Sequence, residues 1–229
     1  MRLNKYLAKT GIGSRRECDL YIRDGLIKIN GKIIRDYSYK VADIDSIQFK
    51  NKYVNLEENN YYYVLHKPKG YVCSSKDEFN RKIIYDLIPY DFRLFSVGRL
   101  DYDTTGIIFL TNDGDFSQVL THPKYQITKK YYVITDLNLS NKSISLIKKG
   151  IKIDKYIMRA DVKFLEHNKK GYFWEITMTE GKNREIKQIF NKFNINVLRL
   201  HRYEFAGIKL GNLKVGKYRL LNKNELIQI

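Results

Sequence analysis

The chain is short of cysteine, of acidic residues and of long apolar runs, and each shortage removes a class of protein. Its two cysteines, Cys18 and Cys73, sit in unrelated contexts and form no metal-ligand spacing with the four histidines. Both are expected as reduced core residues, which excludes a disulfide-stapled secreted domain. No run is long enough to span a membrane, and the opening MRLNKYLAKTG carries no apolar signal core. The expectation is a cytoplasmic protein with no membrane partner. No internal repeat or low-complexity segment interrupts the sequence. Acidic residues number 25 against 42 Lys+Arg, a formal charge of +17, so a polyanion is the expected partner. Lysine-rich genome bias would explain abundant lysine but not the deficit of acids.

What is present is a globular chain with charge in both parts. Hydrophobic residues make up 43%, which excludes a disordered basic tail. Residues 1–60 hold 12 basic and 8 acidic residues, a net +4, which leaves +13 for the remainder. Two basic surfaces cooperating on one nucleic acid are therefore expected.

Residues 1–52 read as a small self-contained unit. Leu3, Tyr6 and Leu7 share a helical face that ends at Gly11 and Gly13. Ser14-Arg15-Arg16-Glu17 predicts a capping box opening a second helix, which runs to Asp24 and stops at Gly25. Cys18 and Ile22 lie four apart on its inner face. Asn30-Gly31, between Leu26–Ile29 and Lys32–Arg35, predicts a tight hairpin. This helix, Arg-bearing helix and hairpin resemble the RNA-binding domain first seen in the fourth small-subunit ribosomal protein. The resemblance implies that Arg15, Arg16, Arg23 and Lys28 contact phosphate, which would position RNA without reading its sequence. As ordinary surface residues they would simply be solvated. Residues 53–60 are expected as a linker, and 61–229 as a larger domain.

In that larger part strand signals dominate and helices are interspersed with no regular βαβ repeat, so the expected class is α+β. Tyr61–Leu65 and Tyr71–Cys73 flank His66-Lys67-Pro68-Lys69-Gly70, whose Lys67 and Lys69 are either solvated or RNA contacts. Further strands are expected after Lys129 and over Gly171–Thr179. Helices are expected over Asp115–Leu120, over Leu139–Lys149 and after Glu180-Gly181.

Three segments could carry chemistry. Val97-Gly98-Arg99-Leu100-Asp101-Tyr102-Asp103-Thr104-Thr105-Gly106 places Asp101 in a Gly-flanked turn before an apolar run. A carboxylate beside guanidinium charge stays ionised, which suits a nucleophile or proton acceptor. Tyr131 follows Lys129 and Lys130; it could stack on a base while the lysines hold phosphate, or be a core aromatic. In Glu180-Gly181-Lys182-Asn183-Arg184-Glu185-Ile186-Lys187, the bases Lys182, Arg184 and Lys187 are expected in a first helical turn. There they oppose the helix dipole unless an anion binds.

GRLDYDTTG, KKYYV and EGKNREIKQIF, with HKPKGYVCS before them and LHRYEFAGIKL after them, are similar in order and spacing to the pseudouridine synthases of the Rsu and Rlu type. With the N-terminal unit, the resemblance covers essentially the whole chain. It implies a mixed, mainly antiparallel sheet flanked by helices, and isomerisation of uridine to pseudouridine in ribosomal RNA. It implies Asp101 as the carboxylate acting at the sugar, by direct attack or by elimination. Tyr131 would pack on the base and assist proton loss, Lys187 would pair with and orient the aspartate, and Arg99 would help hold the flipped-out state. Lys129, Lys182 and Arg184 would face RNA. No metal, nucleotide or other cofactor is implied, since isomerisation conserves every atom. The partner is ribosomal RNA, free or in a pre-ribosomal particle, and the expected state is a monomer. Glu185 after Arg184 resembles large-subunit enzymes, whereas KPKGYVCS and DTTG look closer to small-subunit ones; the balance leans to the large subunit.

Two rivals stand beside this reading. Asp101-Tyr102-Asp103 is formally an Asp-x-Asp metal motif of the kind glycosyltransferases use. A non-catalytic RNA-binding or ribosome-assembly factor would explain the charge equally well, but has no need of Asp101.

Overall fold

A computed structural model describes residues 1–57, 59–89 and 93–229. The chain forms two compact units, one mainly of residues 1–61 and the other mainly of 62–229.

In the first unit, helices Leu3–Lys9 and Arg15–Arg23 pack on a sheet ordered Lys32–Ile33, Ile27–Ile29, Ile47–Phe49, Lys52–Tyr53. The capping box is formed: Glu17 N donates to Ser14 Oγ at 3.2 Å, and Ser14 N donates to the Glu17 carboxylate at 2.7 Å. Two of the orphan amides of the helix start are thereby met. Asn30 and Gly31 both take positive φ, 51° and 79°, the pair a tight hairpin turn requires. Cys18 and Ile22 are fully buried with Leu3, Leu7, Ile27, Ile29 and Ile47. The expected linker starts inside this unit, because Tyr53 lies in the last strand and Val54 N donates to Ile47 O at 3.0 Å. Farther on, Tyr61 N and Asn59 O are both held by the Asn112 side chain at 2.8 Å. Glu58 of that linker lies outside the described residues.

The second unit is a mainly antiparallel sheet with helices against it. Its main path runs Asp161–Asn168, Gly171–Met178, Lys129–Thr135, Val197–Phe205, Thr105–Thr111, Tyr62–Lys67, Tyr218–Leu220. Thr105–Thr111 pairs in parallel with Val197–Phe205, with Gly106 opposite Arg202. Gly106 is required there: its φ is 123°, and an added Cβ would lie 2.1 Å from Arg202 O. Almost every residue of Thr105–Thr111 is buried, as expected of a central strand covered on both faces.

Alternation along Lys129–Thr135 separates a buried face from an exposed one. Tyr131 and Val133 are buried on one face, while Tyr132 on the other is 43% exposed and stacks on Tyr203. Trp174 and Ile176, opposite Val133 and Tyr131, lie on the buried face. Helix Glu185–Asn191 covers that face through Ile186, Ile189 and Phe190, with Phe190 6.4 Å from the Trp174 ring. Val64, Val97, Ile107, Phe109 and Phe205 form a core in which Phe109 and Phe205 stack at 5.0 Å.

Candidate active site

A cavity of about 280 Å³ opens at the start of helix Glu185–Asn191, and its lining includes Arg99, Asp101, Lys129, Tyr131, Lys182, Arg184 and Arg202. Two loops and two strands build it. The loop before Thr105–Thr111 brings Asp101, and the turn before the helix brings Lys182 and Arg184. The adjacent strands Lys129–Thr135 and Val197–Phe205 bring Tyr131 opposite Arg202.

Asp101 is held from below through its own backbone. Lys67 is fully buried, and its Nζ donates to Asp101 O at 3.0 Å, Thr104 O at 2.9 Å and Pro68 O at 3.0 Å. The expectation that Lys67 contacts RNA is therefore corrected. Its three donors are spent tying both ends of the aspartate loop, and no solvent reaches it. Burial pushes its ammonium below the ordinary lysine value, and Cys73, Asp103 and Asp101 nearby pull the other way. Lys69, two residues on, is exposed. Cys73 is half-buried rather than in the core, its Sγ 3.3 Å from Leu100 O.

The Asp101 carboxylate, 29% exposed, lies 3.3 Å from Lys187 Nζ and 3.9 Å from Arg184 Nη1. Lys187 also donates to Asp103 Oδ1 at 2.5 Å, so one ammonium bridges both carboxylates. Burial works against the Asp103 charge, but the Lys187 hydrogen bond and charge prevail and hold its carboxyl below the usual range. With the Asp-x-Asp pair already bridged by an ammonium, the glycosyltransferase reading loses the coordination it needs. The cations that meet Asp101 are thus Lys187 and Arg184; Arg99, expected beside it, is exposed on the cavity lining.

Helix Glu185–Asn191 begins later than the sequence pattern suggests. Lys182 and Arg184 precede it, Arg184 in a left-handed conformation with φ 49°, and the first turn carries Glu185. Glu185 is 4% exposed and accepts from Lys182 N at 2.7 Å, a carboxylate where the dipole favours one. Burial nonetheless raises its carboxyl above the ordinary value. Lys182 Nζ donates to Ile157 O at 2.9 Å and pairs with Glu180.

Tyr131 is 7% exposed on the cavity wall. Lys129, two residues before it on the same face, donates to Ile127 O at 3.1 Å and Thr179 O at 3.0 Å. Burial and the nearby Arg202 charge push Lys129 down to about 8. Arg202 itself escaped the sequence reading. It is 2% exposed, its Nε donates to Ile107 O at 2.8 Å, and its guanidinium lies over the Phe205 ring at 4.6 Å. Its position in the LHRYEF segment was visible, but nothing in that segment said which face it would take. Among the expected phosphate contacts of the small unit, Arg15 and Arg16 are exposed, Lys28 is half-buried and Arg23 pairs with Asp24 at 2.9 Å.

Comparison with known proteins adds independent findings. Residues 61–192 match the family described as RNA pseudouridylate synthase, and residues 1–46 match the S4 domain. The chain is 33% identical to the ribosomal large subunit pseudouridine synthase B of Bacillus subtilis (strain 168), over 98% of this chain and 93% of that protein. It is 32% identical to the ribosomal small subunit pseudouridine synthase A of Pseudomonas aeruginosa, over 100% of both chains. A pseudouridylate synthase of known crystal structure superposes with a TM-score of 0.73 at 30% identity, covering 100% of this chain and 99% of that one.

Proposed function

Because the chain belongs to the RNA pseudouridylate synthase family, an isomerase family, we propose that it converts uridine to pseudouridine in ribosomal RNA with Asp101 as the catalytic carboxylate. One observation carries the assignment of Asp101. Its carboxylate, held by Lys187 at 3.3 Å on a loop tied from beneath by Lys67, lines the same cavity as buried Tyr131. A binding protein has no use for a carboxylate fixed in that way, whereas attack at, or proton removal from, the sugar requires one held in place. Tyr131 packs on the detached base and takes part in proton loss from its fifth ring carbon. Lys187 orients Asp101. The uridine leaves its stack to enter, which costs a few kcal/mol and favours loops or distorted helices.

Exposed Arg15 and Arg16, with Arg23 and Lys28, supply phosphate contacts from the S4 domain. Lys69, Arg99, Lys182 and Arg184 supply them around the site, and Lys129 meets the RNA from the cavity wall. The RNA is free or in a pre-ribosomal particle, where the uridine is accessible. The enzyme acts as a monomer in the cytoplasm and uses no cofactor. The relatives named for the two subunits are equally similar, at 33% and 32% identity, and the Arg184-Glu185 pair tips the reading towards large-subunit RNA.

The test is tritium release from ribosomal RNA labelled at the fifth ring carbon of uridine, run on large- and small-subunit transcripts separately. Wild type is expected to release tritium from the large-subunit transcript. Asp101→Asn should fall by at least about 10⁴-fold while still binding RNA, the scale on which a catalytic carboxylate is missed. An Asp101→Asn variant that keeps wild-type release would remove Asp101 from the mechanism.

A further inference from the structure

Arg202 is a buried charge that the proposed function leaves without a role. It is 2% exposed, and its Nη2 has no hydrogen-bond partner among the described residues. Nε donates to Ile107 O at 2.8 Å. A buried cation without a carboxylate is strongly disfavoured unless something else answers it. Among the described residues the guanidinium meets a carbonyl and, at 4.6 Å, the Phe205 ring. It lines the cavity beside Tyr131, its register partner across two strands, and Gly106 is stripped of a side chain so that a third strand can pass against its backbone. The fold holds this charge in the cavity wall, almost wholly shielded from solvent.

We propose that Arg202 is a catalytic residue whose terminal nitrogens hydrogen-bond a carbonyl oxygen of the target uracil and carry its charge while the base is detached. The inference rests on the isomerase reading given above. When the glycosidic bond breaks, its electron pair leaves with the ring nitrogen, and the charge spreads onto the carbonyl oxygens. The fifth ring carbon then bonds to the anomeric carbon and loses its proton, and the freed ring nitrogen gains one. Atoms and electrons are conserved, and nothing is oxidised or reduced. A guanidinium in a water-poor wall stabilises the anionic base more than the neutral uridine, and that difference is what accelerates a step. A backbone phosphate is the poorer occupant. Exposed Arg184 and half-buried Lys182 stand nearer solvent, where the RNA chain must remain, whereas Arg202 sits with Phe205 and Tyr131, which suit a planar base.

The experiment uses the full-length protein and an RNA whose target uridine has been mapped by tritium release. That uridine is replaced by 2-thiouridine or by 4-thiouridine, since sulfur accepts hydrogen bonds poorly. Single-turnover rates are measured for wild type and Arg202→Gln, with RNA affinity and thermal unfolding alongside. Wild type is expected to slow by about 10-fold or more on one thio substrate with affinity unchanged. Arg202→Gln should be about 100-fold slower on uridine, the scale of one lost electrostatic donor, and indifferent to that same thio substitution. Wild-type rates equal on all three substrates would overturn the proposal even if the variant fails to fold. So would a variant that suffers the same further penalty as wild type, because Arg202 would then merely support the fold or a phosphate. A wild type inactive on every uridine RNA would instead overturn the parent reading, and this inference with it.

Discussion

At one edge of the cavity Asp101 and Arg184 form a rim cluster with Lys187 and Asp103 just outside its lining, and each charge has an opposite within 4 Å. In its buried wall, Lys129 and Arg202 have hydrogen bonds from the described residues to backbone carbonyls alone. The two regions treat charge by different rules. At the rim, where Asp103 and Arg184 are about half exposed, water screens their charges and pairing fixes geometry more than it adds stability. In the wall, the low dielectric makes each cation costly and makes any anion that enters correspondingly welcome. Under the proposed function, the rim orients the carboxylate assigned to the sugar, and the wall receives the base that is proposed to become negative.

The sharpest way to break this comparison is to unbalance the rim. Lys187→Met leaves Asp101 and Asp103 facing each other without the ammonium between them. Turnover should fall by about 10²-fold or more, while RNA affinity, measured by filter binding, changes little. Asp103→Asn removes the other partner of Lys187 and frees it for Asp101, so a loss of less than about 10-fold is expected. Equal losses from the two variants would mean that the rim works as one inseparable cluster rather than as Lys187 serving Asp101.

Next in size is Lys67→Met, which strips the donor from Pro68 O, Asp101 O and Thr104 O. Buried carbonyls left unmet cost about 1–3 kcal/mol each, partly relieved by rearrangement, so destabilisation of about 2–4 kcal/mol is expected in urea unfolding. Turnover should drop by about 10-fold because the loop that holds Asp101 loosens, with RNA affinity intact. A weakened affinity with unchanged turnover would return Lys67 to the role of an RNA contact.

A smaller effect separates both regions from the S4 domain. Arg15→Ala with Arg16→Ala touches exposed side chains and should leave thermal unfolding and single-turnover rate unchanged. Affinity should fall, and the slope of log affinity against log salt should flatten by about 0.9 for each duplex phosphate that is no longer neutralised. An unchanged slope would show that these arginines do not meet phosphate.

How far these features were legible in the residues follows the distance over which they are encoded. The Ser14–Glu17 box and the Asn30-Gly31 turn are local, and a few adjacent residues specify each one. Asp101 and Tyr131 announced themselves through recognisable segments. The Lys187–Asp103 bond joins residues 84 apart, and Arg202 meets Ile107 across 95, so both depend on strand order that no local pattern encodes. The parallel pairing of Thr105–Thr111 with Val197–Phe205 is of the same kind. Lys67 misled for a different reason. A lysine before proline in a turn reads as solvated, and only the converging carbonyls of a loop some 35 residues away explain why it is buried.

The buried wall can also be read through pH, with the smallest signal of the set. Lys129 is held down to about 8 by burial and by Arg202, against an ordinary lysine value of 10.5. Below about 8 it is charged in both folded and unfolded chains, and above about 10.5 it is neutral in both. Between those limits the unfolded chain holds a proton that the folded chain has released, so this residue's contribution to stability rises with pH. Lys129→Gln removes that dependence whatever constant offset the lost hydrogen bonds to Ile127 O and Thr179 O introduce. The melting temperature of wild type relative to Lys129→Gln should therefore climb as pH goes from 8 to 10. Parallel curves for the two proteins would mean that the lysine is as well solvated as the rim, and the contrast between rim and wall would then rest on Arg202 alone. A climb that disappears when RNA is bound would sharpen the contrast, because an anion in the cavity restores the charged form and raises the lysine back towards its ordinary value.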